Sequence, residues 1–210
     1  MLHIDLYAEI TCPWCFVGLH RLDKVLREHF SNVPVDIRHR PVVLLPDAPA
    51  GGLYIPDLLR SRYGVTDPKT AFARPEAAAR ASGFGLDLSR QLWTYPTQPA
   101  HALLLAAGER GTQHQLAIAL TDAYFLDARN IGDSDVLAGV AVHHGFDRRE
   151  ARAIAQDSAA PQQVQEEVAR SAAAGIRSVP HFEFGSGVAI SGGRSEAEIA
   201  SAVREALRRS

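Results

Sequence analysis

From residue 2 to residue 8 apolar and polar side chains alternate. Leu2, Ile4 and Leu6 fall on one side and His3, Asp5 and Tyr7 on the other, the period of a strand with one buried face. The period then lengthens. Leu19, Leu22, Val25, Leu26 and Phe30 recur at helical spacing, and Pro13 suits the first position of that helix because its missing N–H would have no partner there. Val33, Val35 and Ile37 return to alternation. The first 40 residues therefore read strand, helix, strand, a unit that in one sheet demands a parallel pair joined by a right-handed crossover.

The texture changes at Pro41, Pro46, Pro49, Gly51 and Gly52, which mark a loop. From Leu53 to Ala174 nearly every periodic segment is helical, with helices predicted over Pro56–Tyr63, Pro68–Ala81, Gln98–Glu109, Gln113–Leu126, Ser134–His143, Arg148–Gln156 and Pro161–Ala174. Gly83, Gly111, Gly145 and Gly175 follow several of them as C-terminal stops. Strand signals return in His181–Phe184 and Val188–Ile190, separated by Gly185-Ser186-Gly187, a hairpin pattern. Ser195 with Glu198 three residues on is a capping box for a last helix, Ser195–Arg208, whose buried stripe is Ile199, Val203 and Leu207. The outline is βαβ, a long helical stretch, then ββα. No internal repeat interrupts it.

Composition narrows the function classes. Of 210 residues 46% are hydrophobic, enough for a substantial core and too many for a disordered chain. The formal net charge is -2, so neither nucleic acid nor an anionic membrane is expected as partner; lysine occurs only at Lys24 and Lys69, so nearly all the positive charge is arginine. No run approaches the ~20 apolar residues that span a bilayer. Met1-Leu2-His3-Ile4-Asp5 lacks the basic-then-apolar pattern of a secretory leader, so a cytoplasmic location is expected.

There are two cysteines, and they stand in Cys12-Pro13-Trp14-Cys15, where the first strand gives way to the first helix. At a helix start the unpaired N–H groups and the helix dipole favour negative charge, so Cys12 should ionise more readily than a free thiol. Cys15 lies nearly one turn on, within reach of its sulfur. An exposed first thiolate that attacks a disulfide, and a shielded second thiol that resolves the mixed disulfide, follow from that placement. A zinc site would need two more ligands and has no further cysteine to supply them, so no metal is expected. A static disulfide fits a reducing compartment poorly. Ser178-Val179-Pro180, just ahead of the late strand, is a plausible place for a cis X-Pro bond.

Taken in order, these motifs resemble one family, the DsbA-like thioredoxin-fold proteins, and within it the branch of FrnE-like and 2-hydroxychromene-2-carboxylate isomerase-related proteins. The resemblance is carried by Cys12-Pro13-Trp14-Cys15-Phe16-Val17-Gly18, Leu44-Leu45-Pro46, Pro99-Ala100-His101, Asn130-Ile131-Gly132-Asp133 with Leu137, Gly175-Ile176 leading to Val179-Pro180 and Phe182, and Ile190-Ser191-Gly192. It implies an α/β thioredoxin fold, residues 1–45 with 175–210, interrupted by a helical insertion domain over residues 46–174. It implies Cys12 as nucleophile, Cys15 as resolving thiol, a cis Pro180 facing Cys12, and Val179 offering its backbone to a bound peptide or thiol. Three departures surround the expected substrate groove: Ser178 where glycine is usual, His181 where a small or Thr-like residue is common, and Gly193-Arg194 where Ala-Gln is common. Pro13-Trp14 also lacks the histidine of the strongly oxidising periplasmic members.

Around this dithiol, Trp14, Val179, His181 and His101 are the candidate substrate-binding residues, and His181 could also favour the Cys12 thiolate. Phe16 reads as core. His143-His144 is a poor metal pair, since neighbours on a helix point apart. Glu9 and Asp5 are candidate proton acceptors for Cys15. The expected activity is disulfide exchange with a protein or low-molecular-weight thiol, with the cysteine pair as the redox group and glutathione as the one candidate cofactor. The alternatives are a glutathione-dependent isomerase or transferase, whose relatives usually carry serine for the first cysteine, a polyketide-pathway enzyme, and a non-catalytic helical binding module. Oligomeric state is left open.

Overall fold

The computed structural model describes residues 1–209. The chain runs β1 (Leu2–Ala8), α1 (Pro13–His29), β2 (Val35–Pro41), β3 (Leu53–Tyr54), α2 (Ile55–Tyr63), α3 (Pro68–Ala81), β4 (Trp93–Thr94), α4 (Gln98–Gly108), α5 (Gln113–Phe125), α6 (Ser134–Ala141), a 3-10 turn (Val142–His144), α7 (Arg148–Gln156), α8 (Ala160–Ala173), β5 (His181–Phe184), β6 (Val188–Ser191) and α9 (Glu196–Arg209). The main sheet has the order β2-β1-β5-β6, with β1 and β2 parallel and the other two pairs antiparallel. The strand and helix order matches the βαβ and ββα outline, and the architecture is the α/β thioredoxin fold that the family resemblance implies.

Register explains which side chains meet. Leu6 lies beside His39 on β2 and Phe182 on β5, and Ile4 lies beside Ile37 and Phe184. That face is the buried one, closed by Phe16, Leu22 and Val25 of α1 and Ile199 and Val203 of α9. Each of these large apolar side chains contributes about 1.5–3 kcal/mol by leaving water. The opposite face carries the polar set: Tyr7 donates to Glu183 at 3.1 Å and Arg40 to Asp5 at 2.6 Å. The core does not stop at the sheet. Phe16 packs on Phe125 of α5 at a centroid distance of 5.1 Å, and the same cluster continues through Leu103, Leu120 and Leu137. Arg21, buried in α1, donates to Ser82 Oγ (2.7 Å), Arg194 O (2.7 Å) and Ala78 O (2.9 Å), tying α1 to α3 and to the loop before α9.

The structure departs from the sequence reading at several places, and Leu207, expected on the buried stripe of the last helix, is exposed. Leu53–Tyr54 and Trp93–Thr94 pair as a two-stranded ribbon where only helices were expected, because two residues are too short to show a period and their partner is distant in sequence. The second strand begins at Val35 rather than Val33 and runs on through His39 to Pro41. The sixth helix ends at Ala141 and tightens into a 3-10 turn at Val142–His144, closed by left-handed Gly145 (φ 86°). Ser195 caps the last helix rather than joining it: its N–H donates to Glu198 Oε2 at 2.8 Å, and the Glu198 N–H donates back to Ser195 Oγ at 3.3 Å.

Candidate active site

Cys12 is the N-cap of α1, with extended backbone (φ -86°, ψ 119°) and Pro13 in the first turn. Its N–H donates to Glu9 O at 3.2 Å, which closes the turn out of β1 and aims the first N–H groups of the helix at the Cys12 sulfur. Both cysteines are free thiols. The Cys15 thiol hydrogen-bonds to the Cys12 sulfur, and the backbone N–H groups of Cys15 and Trp14 point at it too. Together these hold the Cys12 thiol below its ordinary pKa against the opposing effects of burial and the Glu9 charge. Cys15 is only 2% exposed, and burial, reinforced by Cys12, drives its pKa well up. The Cys12 thiol therefore gives up its proton more readily than the Cys15 thiol.

Glu9 sits behind this pair. It is 1% exposed, and its Oε2 accepts from the Leu44 N–H (3.0 Å) and the Thr97 hydroxyl (3.2 Å), while Oε1 lies 3.4 Å from His101 Nε2. Glu9, His101, His39 and Cys15 line one small cavity of about 20 Å³. Of the two expected proton acceptors, only Glu9 is brought to Cys15. Asp5 is held by Arg40 on the polar face of the sheet.

In front of the pair, Cys12 opens on an apolar groove of about 200 Å³, walled by Leu45, Leu58, Leu59, Phe72 and Leu88 from the loop after β2, α2, α3 and the segment that follows. Polar groups reach its floor from the β4 side. The Tyr124 hydroxyl donates to Trp93 O at 3.0 Å, and beside it the buried Thr94 hydroxyl has no hydrogen bond of regular geometry.

The expected substrate contacts are placed unevenly. Trp14 is half-buried, its indole lying over Gly193, where a Cβ would come within 2.3 Å of Cε3. The departure from the family pattern at Gly193 is thus the space that this ring occupies. The Val179–Pro180 bond is cis, and Pro180 is buried against Gly18 of α1. Val179 is half-buried. His181 turns to the polar face: its Nδ1 lies 2.5 Å from Ser191 Oγ and its ring packs edge-on to Tyr7, so it is not among the groups that act on the Cys12 thiol. His101, expected as a substrate contact, is buried against Glu9 and lines the cavity beside Cys15.

Two positions carry more than the sequence reading assigned them. Gly18 belongs to the motif, but its role appears only in packing: a Cβ there would stand 2.9 Å from Pro180 Cγ and 3.1 Å from Phe182 Cζ. His39 continues the parity of Ile37 into the core, a signal that a strand read as far as residue 41 would have exposed. Among the described residues no three His, Cys, Asp or Glu side chains are grouped so as to hold a metal ion.

A thioredoxin-like sheet with a dithiol at the start of its first helix defines a class of thiol–disulfide enzymes. The chain belongs to the DSBA-like thioredoxin domain family, whose profile matches residues 3–204. Its structure is similar to a probable DsbA oxidoreductase, SCO1869 of Streptomyces coelicolor, with a TM-score of 0.88 and 26% identity, covering 100% of this chain and 92% of that one. It shares its fold with a 2-hydroxychromene-2-carboxylate isomerase (TM-score 0.74, 15% identity, 99% and 97% covered). It also shares it with the cytosolic disulfide reductase DsbM of Pseudomonas aeruginosa (TM-score 0.67, 17% identity, 99% and 100% covered), which has also been seen with GSH. Family and neighbours support an enzyme of the disulfide oxidoreductase or isomerase kind. Among the described residues no helix is long and apolar enough to cross a membrane.

Proposed function

We propose that this protein exchanges disulfides through the Cys12–Cys15 dithiol, with an apolar disulfide or thiol as substrate. The observation that carries the proposal is the polarity of the pair: Cys12 lowered in pKa at the mouth of an apolar groove, Cys15 raised and sealed behind it beside Glu9. In the reducing direction the Cys12 thiolate attacks one sulfur of the substrate disulfide. The S–S bond breaks, and the first substrate thiolate leaves and takes a proton from solvent. Cys15 then passes its proton to Glu9 and attacks Cys12 Sγ. The second substrate thiolate leaves, the substrate has gained two electrons, and the dithiol has become a disulfide. A low-molecular-weight thiol of the glutathione class would return the dithiol, and a reducing cytoplasm would sustain that direction. The electrons pass through the two sulfurs alone. Trp14, packed on Gly193, and the Val179–Pro180 segment are the surfaces we assign to substrate positioning.

The test is the redox equilibrium of the purified protein against a series of glutathione buffers, read by alkylation of free thiols. A reversible two-electron transition is expected, with Cys12 alkylating rapidly below the ordinary thiol pKa of ~8.5 and Cys15 only on unfolding. Cys15→Ser should accumulate a mixed disulfide on Cys12. Thiols that stay reduced throughout, or a Cys15→Ser variant that turns over normally with glutathione, would replace disulfide exchange with glutathione-dependent isomerisation or transfer.

A further inference from the structure

Once a substrate half is bonded to Cys12 and fills the groove, the proton that Cys15 must shed has no way out on that side. Cys15 and Glu9 are 2% and 1% exposed. Polar side chains continue inward instead. The cavity of about 20 Å³ that Cys15 and Glu9 line also touches His101 and His39, and it is large enough for one water molecule. His39 Nε2 lies 3.0 Å from His114 Nδ1, and His114 Nε2 lies 3.8 Å from Asp23 Oδ1. His114, whose side chain is 13% exposed, stands in the wall of an open cleft of about 470 Å³ between the β2 edge and the start of α5.

The middle of this chain is held in place. Gln113 accepts from the His39 N–H (2.9 Å) and donates to His39 O (3.3 Å) and Leu104 O (2.9 Å), so the edge strand cannot slide away from α5. Burial, with His114 and His101 nearby, pushes the His39 imidazole well below its usual pKa. A neutral ring with one accepting and one donating nitrogen can relay a proton without keeping it. Of the charged groups beside the relay, Asp23 is paired with Arg27 (2.8 Å), His20 lies against Asp122 (2.8 Å), Arg40, which lines both the cavity and the cleft, is paired with Asp5 (2.6 Å), and Glu109 lines the cleft with His114.

We propose that His39 and His114 form a proton exit for the resolving step, joining the Glu9–His101 cavity beside Cys15 to the open cleft at the β2 edge. The inference rests on the dithiol reading above. Glu9 receives the Cys15 proton and returns it through the cavity to His39. His39 gives its Nε2 proton to His114 Nδ1, and His114 sheds one from Nε2 to Asp23 or to water. Each ring ends with as many protons as it began. His39 and His114 touch no reacting sulfur, so they are positioning residues acting through Glu9.

The experiment mixes the fully reduced protein with substoichiometric 5,5′-dithiobis(2-nitrobenzoate). The first coloured thiolate reports capture by Cys12, and the second reports resolution by Cys15. In His114→Ala and His39→Gln the ratio of the second rate to the first should fall by about tenfold or more, within the ~10²–10⁴ that positioned proton transfer contributes. Free imidazole should restore the ratio in His114→Ala, whose site borders the open cleft, and not in His39→Gln. An unchanged ratio in His114→Ala overturns the proposal, and so does a fall that imidazole leaves untouched, since that marks a purely structural effect. If the native protein releases one thiolate or none, the dithiol reading itself has failed and the exit path goes with it.

Discussion

Replacing Glu9 separates what this carboxylate does for stability from what it does for chemistry. Its two firm hydrogen bonds, from Leu44 N and Thr97 Oγ1, converge on one oxygen, Oε2. Glu9→Gln can keep an oxygen there and turn its amide toward His101. Each charge-assisted bond then becomes a neutral one, a loss of about 1 kcal/mol apiece that is partly offset by no longer burying a charge. The net destabilisation should be about 0–2 kcal/mol. Glu9→Leu leaves the Leu44 N–H and the Thr97 hydroxyl without that acceptor at about 1–3 kcal/mol each, so about 2–6 kcal/mol in all. Both variants lose the proton acceptor, and the resolving step should slow by ~10²–10⁴, about 3–5 kcal/mol of barrier. Urea unfolding measures the first effect, and the two-phase thiolate release measures the second. A Glu9→Gln protein that resolves at the native rate would refute the acceptor role. Equal destabilisation by Gln and Leu would refute the hydrogen-bond accounting.

Three further outcomes follow from the same geometry. His39 has a folded pKa well below its unfolded value, so the unfolded chain binds the extra proton and stability should drop as pH falls through ~6.5. The urea midpoint of His39→Gln should show a shallower acid slope than the native protein, and equal slopes would contradict the buried neutral ring. Gly18→Ala sets a Cβ 2.9 Å from Pro180 Cγ, and overpacking of this kind costs about 1–3 kcal/mol, against about 0.5–1 kcal/mol regained in helix propensity. A small net loss in denaturation, together with altered capture kinetics, is expected, and a stabilised variant with native kinetics would disprove the close approach. In Gly193→Ala the new Cβ would fall within 2.3 Å of the Trp14 ring, so the indole must move. Its fluorescence should shift toward that of an exposed tryptophan with little change in stability, and an unchanged spectrum would place the ring elsewhere.

How much of this could be read in advance depends on how local the cause is. The strand before Cys12, the helix opened by Pro13 and the Ser195–Glu198 cap are set by neighbours a few residues apart, and sequence pattern alone was enough to place them. Asp5, Tyr7 and Glu9 share odd parity and would all face the polar side if the strand ran on. β1 ends at Ala8, the chain turns, and Glu9 is carried inward to Leu44, Thr97 and His101. Alternation fails there because its premise, an extended backbone, has ended. The ribbon of β3 and β4, the groove walls on α2 and α3, and the line from Glu9 to His114 join segments far apart in the chain, so no local period announces them. Trp14, a candidate substrate contact by sequence, rests on Gly193, a neighbour supplied only when the loop before α9 returns to α1. The sequence by itself determined that a dithiol stands at a helix start on a thioredoxin sheet. Tertiary packing decided which carboxylate and which histidines lie behind it, because burial beside Cys15 is a property of where distant segments meet.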